Sequence, residues 1–309
     1  MGEIVRPLLD DNQIVSFLSV LDFETYFSNP QNLARVFQDV QDVSIAMAQT
    51  ITLIREANKD LAAMVTHNTL DSESYRATPY ITDAARQQLR EEIRQQLISN
   101  IRPSNDENIN FGNGGMLPTS GIVRKNREAF VIIGLPASGK SGVAAKISDY
   151  YQAVLIDSDF AKRKIPEFCK TNGATLVHKE SKLIKDDILK AAIIKGLNFV
   201  LPIIGNDYNE VLSTIKSLRK HKYSVKFILV ELDRIEATRR ALSRFIQTQR
   251  YIPLSRILDE YSNDPSLVFY KLMYNQPELS MALIDTNVPY GEKPKIVVKR
   301  NFDELKKIL

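Results

Sequence analysis

A glycine-rich turn between an apolar run and a helical pattern constrains this 309-residue chain more than any other feature. The apolar run at 130–133 leads into G-L-P-A-S-G-K-S at 134–141, and apolar residues then recur at helical spacing up to residue 151. This is a Walker A motif in the strand–loop–helix context that the motif requires. Its glycines let backbone N–H groups turn towards a phosphate chain, and the helix N-terminus adds positive potential. The turn therefore predicts binding of a nucleoside triphosphate, ATP or GTP.

Individual residues of the turn have predictable roles. Lys140 can reach the β- and γ-phosphates, and the Ser141 hydroxyl can ligate Mg²⁺. The residues expected to contact the nucleotide are Gly134, Leu135, Pro136, Ala137, Ser138, Gly139, Lys140, Ser141 and Gly142.

From residue 122 onward, predicted strands alternate with predicted helices. The strands are expected at 130–133, 153–156, 198–204, 224–230 and 281–284, with a short one at 295–298, and the clearest helices at 140–151, 178–195 and 207–220. This alternation predicts an α/β fold with a doubly wound parallel sheet. Ligands of such sheets bind at the carboxyl ends of the strands, where the glycine-rich turn lies.

Residues 1–104 are predicted to form a small all-α domain, with helices over 14–26 and 30–54 and a third helix capped by Thr82. Residues 103–121 carry four glycines and two prolines, so we expect a linker at 105–121 and a P-loop domain at 122–309. The net charge is −7 over residues 1–120 and +11 over the remainder. This asymmetry favours docking of the two parts or binding of anionic ligands, and two independent domains are the alternative.

Composition restricts the other classes of protein and of binding site that need to be considered. One cysteine, Cys169, excludes an internal disulfide, and three histidines argue against a zinc site. No apolar run approaches the roughly 18 residues of a membrane span. The N-terminal residues lack the pattern of a secretory signal. A cytoplasmic location without a membrane partner is therefore expected.

Two carboxylates, Asp157 and Asp159, follow the second predicted strand, which we expect to neighbour the strand before the P-loop. A kinase that phosphorylates a hydroxyl needs a carboxylate close to that hydroxyl and to the γ-phosphate. If the strand continued, both side chains would share one face. Asp159 lies further out and is predicted to accept the proton, whereas Asp157 is predicted to ligate Mg²⁺ or support the bound substrate. The alternative is that either residue caps a helix.

The stretch 239–256 contains five arginines and no acidic residue. Arginine forks match phosphate oxygens and spread the charge of a phosphoryl transition state, so contacts to the nucleotide phosphates are expected here. A solvated basic face and a nucleic-acid patch are the alternatives.

Taken in order, four stretches of about residues 125–290 resemble the zeta toxins and their kinase relatives. The stretches are the P-loop, I-D-S-D-F-A-K at 156–162 with P-E-F at 166–168, V-H-K-E-S at 177–181 with the helix after it, and Arg244 and Arg250 before Y-I-P at 251–253. The resemblance implies that Asp159 is the base and that Arg244 and Arg250 contact phosphates.

The resemblance also implies an acidic substrate-binding residue, which is Asp186 by spacing, with Asp187 as the near alternative. His178 and Glu180 lie in the segment that leads to it and are expected near the substrate, although His178 is as consistent with a structural role. One departure is clear: many relatives have acid-Gly-Thr after the third strand, whereas this chain has P-I-I-G-N-D at 202–207.

In function, the resemblance implies a Mg²⁺–ATP-dependent kinase for a hydroxyl of a nucleotide-like metabolite. UDP-N-acetylglucosamine is the leading acceptor and a dinucleotide the second. A polynucleotide 5′-kinase and a non-catalytic nucleotide-binding module are the rival interpretations, and a nucleic-acid partner is not expected. Because a separate helical antitoxin blocks the kinase in zeta systems, residues 1–104 are predicted to restrain the site in cis. A separate inhibitor or an oligomerisation role is the alternative.

Overall fold

The computed structural model describes residues 68–169, 173–248, 251–288 and 292–309, together with residues 52, 54, 56, 57 and 59. The helices predicted over 14–26 and 30–54 fall almost wholly outside these residues, and so does Arg250. Within the described part, no helix has the length and apolar character needed to cross a membrane.

One six-stranded sheet forms the centre of the described structure. Its strands are β1 (Glu128–Ile133), β2 (Val154–Leu155), β3 (Phe199–Pro202), β4 (Ser224–Glu231), β5 (Ser280–Asp285) and β6 (Lys295–Arg300). They lie in the order β2-β3-β1-β4-β5-β6, and every neighbouring pair is parallel except β5 and β6. The mostly parallel sheet with helical connections confirms the predicted α/β class.

The position of β2 differs from expectation. Strand β3 lies between β2 and β1, so the prediction that the Asp157 strand neighbours the P-loop strand is wrong. Both β2 and β3 are apolar and buried. Their composition therefore does not determine which of them occupies the inner position beside β1.

Helices connect the strands and flank the sheet. They are α1 (Asp83–Ser99), α2 (Lys140–Tyr151), α3 (Ser158–Lys164), α4 (Gly173–Leu176), α5 (His178–Lys195), α6 (Tyr208–Lys220), α7 (Arg234–Thr248), α8 (Asp264–Asn275) and α9 (Leu305–Ile308). Single turns of 3₁₀ helix occupy Glu73–Tyr75, Asp106–Asn108 and Pro166–Cys169, and a π-helical turn occupies Arg256–Tyr261. The predicted cap of α1 is confirmed, because the Thr82 hydroxyl accepts from the Ala85 N–H at 3.3 Å.

Helix α1 packs against α3 and α5 of the P-loop domain. Its apolar residues Leu89, Ile93 and Leu97 are buried and belong to the same core cluster as the sheet. Arg86, on the same face, is fully buried and pairs with Glu167 and Glu180. The described end of the predicted N-terminal domain thus shares its core with the sheet.

The predicted linker at 105–121 also contains closely packed residues. Met116 is fully buried and its carbonyl accepts from the Leu155 N–H of β2 at 2.9 Å. A Cβ at Gly115 would lie 2.2 Å from the Asn100 carbonyl oxygen. This glycine therefore serves close packing, which the same composition does not distinguish from linker flexibility. The division of the chain at residues 104 and 122 stays a prediction.

Candidate active site

The turn after β1 has the backbone that a phosphate-binding loop needs. Gly134 and Gly139 adopt φ values of 148° and 87°, in the region that favours glycine. At Gly134 a Cβ would meet the Val230 carbonyl oxygen at 2.3 Å, so no larger residue fits. Helix α2 begins at Lys140, directly after the turn. The loop and the helix N-terminus together make an anion site at the carboxyl end of β1.

Thr286, which follows β5, fixes this turn from the neighbouring part of the sheet. Its hydroxyl lies 2.8 Å from the Ser138 carbonyl oxygen and 3.0 Å from that of Glu231. Arg240 of α7 donates in turn to the Thr286 carbonyl at 3.1 Å. The sequence analysis missed Thr286, because nothing in its neighbourhood marks it as a partner of a loop about 150 residues away.

Lys140 folds back over the turn. Its Nζ donates to the Gly134 carbonyl at 2.7 Å and to the Leu135 carbonyl at 2.5 Å. Burial lowers the pKa of Lys140 to about 7; Arg244 also lowers it, while Asp157 and Asp159 oppose the shift. A nearby phosphate would favour the charged ammonium. The protonation state of Lys140 is therefore sensitive to an anion in the loop.

Asp157 and Asp159 lie at the start of α3 and not on a continued strand. Asp157 is the N-cap, and its Oδ1 accepts from the Asp159 N–H at 2.9 Å. Burial, with a smaller contribution from Asp159, raises the pKa of Asp157 to about 6. Asp159 pairs with Lys162 one turn further along the helix, at 2.7 Å. The strand does not continue to these carboxylates; the alternative holds for Asp157, which caps the helix that begins at Ser158.

A cavity of about 360 Å³ brings several predicted site residues together. Ser141, Asp157, Asp159 and Arg244 line it, and these four residues come from three different helices or their caps. A hydroxyl and a carboxylate suited to Mg²⁺, a second carboxylate and a guanidinium thus share one space beside the P-loop. That set can orient a phosphoryl group, hold a metal and accept a proton.

Three of the residues predicted to bind the substrate do not line this cavity. Glu180 is almost completely buried, and its carboxylate accepts from Arg86, from Arg90 and from the Thr69 hydroxyl. Its environment is structural, which corrects the expected substrate contact: Arg86, buried in the core, requires carboxylate partners.

The two remaining residues lie on α5. His178 is exposed at the first position of that helix. Asp186 pairs with Lys185 at 2.9 Å. Substrate contacts by His178 and Asp186 stay predictions, as does the role of Arg250, which is outside the described residues.

Much of the remaining cavity lining comes from residues that the sequence analysis did not select. These include Arg102, the segment 104–107 and Arg163 of α3. Residues 105–107 are the first residues of the predicted linker. A usable signal exists for Arg163, which lies four residues, or about one helical turn, after Asp159.

The residues present fit a Mg²⁺ ion that is held partly by phosphates and water. Ser141 is exposed at the first turn of α2, and Asp157 shares its cavity. Among the described residues, no group of three or more His, Cys, Asp or Glu side chains could hold a metal by itself. This agrees with the usual binding of Mg²⁺ through one or two protein ligands and the substrate phosphates.

Comparison with known proteins adds a family match. Residues 121–268 match the zeta toxin family, over just under half of the chain. The resemblance predicted from the four stretches is thereby confirmed for this segment. No curated protein matches the chain.

Solved structures of kinases and toxin systems are similar to this chain. One, from the PezAT chromosomal toxin–antitoxin system of Streptococcus pneumoniae, has 12% identity and a TM-score of 0.48, covering 74% of this chain and 87% of that one. The AvrRxo1-ORF1:-ORF2 complex with ATP has 15% identity and a TM-score of 0.48, with coverages of 75% and 74%. A gluconokinase from Sinorhizobium meliloti 1021 has 18% identity and a TM-score of 0.33, with coverages of 54% and 86%.

Proposed function

We propose, from the zeta toxin segment at 121–268 and the cavity beside its P-loop, that this chain is a Mg²⁺–ATP-dependent phosphotransferase acting on a hydroxyl group. The observation that carries the proposal is the convergence of Ser141, Asp157, Asp159 and Arg244 on one cavity. These residues come from three separate helices or their caps, and Arg244 lies 85 residues after Asp159 in the sequence. A structural role for each would not require them to share one space.

In the proposed reaction the loop amides and Lys140 hold the triphosphate, while Ser141 and Asp157 would hold Mg²⁺. The metal supplies charge neutralisation between the phosphates when it is bound. Asp159 accepts the proton of the acceptor hydroxyl. The oxygen of that hydroxyl bonds to the γ-phosphorus while ADP leaves. Arg244 stabilises the charge on the transferring phosphoryl group, and Arg250 is proposed to assist it.

A nucleotide-like metabolite is the proposed acceptor, with UDP-N-acetylglucosamine first and a dinucleotide second. The size of the cavity supports a small molecule, since ligand pockets typically enclose about 300–1,000 Å³. A polynucleotide would require an open basic channel instead. Four acidic residues in the cavity lining, Asp106, Glu107, Asp157 and Asp159, disfavour such a basic channel.

The test is transfer from γ-labelled ATP in the presence of a metabolite extract, with UDP-N-acetylglucosamine and NAD as defined acceptors. We expect one labelled small product, and Lys140→Ala is expected to abolish it while the thermal unfolding transition is retained. A wild-type chain that binds ATP but labels nothing would support the non-catalytic module. Equal labelling by Lys140→Ala would contradict the proposed site.

An antitoxin-like restraint by the N-terminal region is also proposed. Ala57 is buried in a cluster with Leu135 of the P-loop and with Ala237 and Leu242 of α7. A residue from the N-terminal region thus belongs to the same buried cluster as a residue of the loop that would hold the nucleotide. A chain of residues 68–309 is expected to turn over faster than the full chain, and residues 1–67 added in trans are expected to slow it. Equal rates would contradict the restraint and favour oligomerisation or a separate partner.

As an enzyme using cytosolic ATP, the protein is proposed to be cytoplasmic.

A further inference from the structure

Helix α7 carries Arg244, whose guanidinium is proposed to stabilise the transferring phosphoryl group. The helix begins at Arg234, and Arg244 lies ten residues, or about 15 Å of helix, beyond that start. A tilt of about 10° at the start of α7 would displace Arg244 by about 2.6 Å at the helical rise of 1.5 Å per residue. A misplacement of about 1 Å can lower a rate about 10²-fold. Catalysis by Arg244 therefore depends on contacts that hold α7 along its length.

Much of the attachment of α7 is apolar. Ala237, Leu242 and Phe245 are buried in one cluster with Leu135 of the P-loop. The hydrophobic effect that stabilises such a cluster is non-directional and scales with the buried area. Hydrogen bonds require a defined distance and angle, so they are better suited to fix the tilt and rotation of a helix.

Arg240 makes hydrogen bonds of this kind one helical turn before Arg244, on the same face of α7. Its Nε donates to Glu236 Oε1 of the same helix at 2.8 Å, and its Nη2 donates to the Thr286 carbonyl at 3.1 Å. The guanidinium is planar and rigid, so these two bonds fix its orientation between α7 and the loop after β5. Arg240 is not among the residues that line the cavity, whereas Arg244 is.

Thr286 continues the connection from this loop to the P-loop. It is 8% exposed, and its hydroxyl lies 2.8 Å from the Ser138 carbonyl oxygen and 3.0 Å from the Glu231 carbonyl oxygen. Its own N–H donates to the same Glu231 carbonyl at 3.1 Å, which fixes the loop to the end of β4. A chain of hydrogen bonds thus runs from Glu236 and Arg240 through Thr286 to the P-loop.

We propose that Arg240 and Thr286 are positioning residues that join α7 to the P-loop and so place Arg244 against the transferring phosphoryl group. The inference rests on the proposed function, because Arg244 acts in phosphoryl transfer. Nucleotide binding remains a property of the P-loop itself. Loss of the connection therefore lowers the rate of transfer more than it lowers the affinity for the nucleotide.

The test measures two properties of the full chain: transfer from saturating γ-labelled ATP into a metabolite extract, and binding of Mg²⁺–AMP-PNP by calorimetry. Arg240→Gln is too short to span Glu236 and the Thr286 carbonyl. It should lower the rate of transfer about 10- to 100-fold and change the AMP-PNP dissociation constant by less than about threefold. Arg94→Gln is the matched control: Arg94 pairs with Glu91 on the exposed face of α1, so neither value should change.

The hydroxyl of Thr286 is tested by a pair of substitutions. Thr286→Val keeps the shape of the side chain but removes the hydroxyl, and should reproduce the loss of rate. Thr286→Ser keeps the hydroxyl and should restore most of the rate. Thr238→Val is the control, because Thr238 is also buried but its hydroxyl donates to the Arg234 carbonyl within α7.

A double-mutant cycle separates positioning of Arg244 from a general structural role. If Arg240 acts through Arg244, adding Arg240→Gln to Arg244→Ala should lower the rate by less than about twofold further. Multiplicative losses, unchanged transfer by Arg240→Gln, or a loss of AMP-PNP affinity as large as the loss of rate would overturn the inference. Absence of transfer by the wild-type chain would instead overturn the proposed function, and the positioning roles with it.

Discussion

The P-loop and the segment at 83–117 are held in place by different kinds of interaction. The loop at 134–141 follows from local geometry: two glycines with positive φ, a buried strand before it and a helix directly after it. The segment at 83–117 is held by contacts that are distant in sequence. Arg86 reaches Glu167 and Glu180, and Met116 reaches Leu155.

This difference separates the two halves of the proposed chemistry. The nucleotide half of the site is a property of one short stretch, which would bind phosphate in many folds. The acceptor half depends on α3, and α3 is fixed from outside the zeta toxin segment. Lys164 at its end is almost fully buried and donates to the Asn110 and Asn113 carbonyls, both at 2.8 Å. Binding of ATP and transfer to an acceptor should therefore respond differently to changes at 83–117.

The largest effect is expected from removing this segment. A chain of residues 122–309 loses the partners of the buried carboxylates Glu167 and Glu180 and exposes the core surface that Leu89, Ile93 and Leu97 cover. We expect no cooperative thermal transition and no phosphoryl transfer, whereas residues 68–309 should keep both. Near-UV circular dichroism with a melting curve measures the first property. A folded, active 122–309 chain would show that 83–117 is a separate domain after all.

A single substitution tests more specifically how the segment at 83–117 is held in place. Arg86→Gln leaves the buried carboxylate of Glu167 without its cation and that of Glu180 with Arg90 alone, which should lower the free energy of unfolding by about 3–5 kcal/mol. Arg94→Gln, on the exposed face of the same helix, should change it by only about 0.5 kcal/mol or less. Urea unfolding of the three proteins measures both values. Equal stabilities would mean that the buried network does not hold α1 to the sheet.

The pH dependence of this effect has a defined sign. Burial alone would raise the pKa of Glu167, but the hydrogen bonds from Arg86 bring it below its ordinary value. A carboxyl with a lowered pKa in the folded state stabilises the protein above its unfolded pKa and loses that contribution as pH falls through the folded one. The stability difference between wild type and Arg86→Gln should therefore shrink in acid.

A smaller effect is expected on the proton uptake that accompanies nucleotide binding to the P-loop. With a pKa of about 7, Lys140 is mostly neutral at pH 8, and bound phosphates favour its charged form. Binding of Mg²⁺–AMP-PNP at pH 8 should therefore take up close to one proton, and at pH 6 this uptake should disappear. Calorimetry in buffers of different ionisation enthalpy counts these protons. Lys140→Arg, which stays charged, should show no uptake, and equal uptake by both proteins would exclude Lys140 as the source.

The sequence was sufficient to predict the structure wherever that structure is determined by neighbouring residues. The P-loop turn, the cap at Thr82 and the alternation of strands and helices all follow from short-range patterns. The order of β2 and β3 did not follow, because two apolar strands are interchangeable in composition. Arg86 carried an unused signal: it lies on the same helical face as Leu89, Ile93 and Leu97, where a cation requires buried acidic partners. Nothing in the sequence indicated that Arg102 reaches the cavity.

The most direct test of the account compares Asp159→Asn with Asp157→Asn in acceptor-dependent transfer from γ-labelled ATP. If Asp159 accepts the proton, its variant should lose about 10²- to 10⁴-fold in kcat with nearly unchanged ATP affinity. Asp157→Asn should be milder and should require more Mg²⁺ for the same rate. A larger kcat loss in Asp157→Asn, with Asp159→Asn close to wild type, would contradict the assignment of the catalytic base.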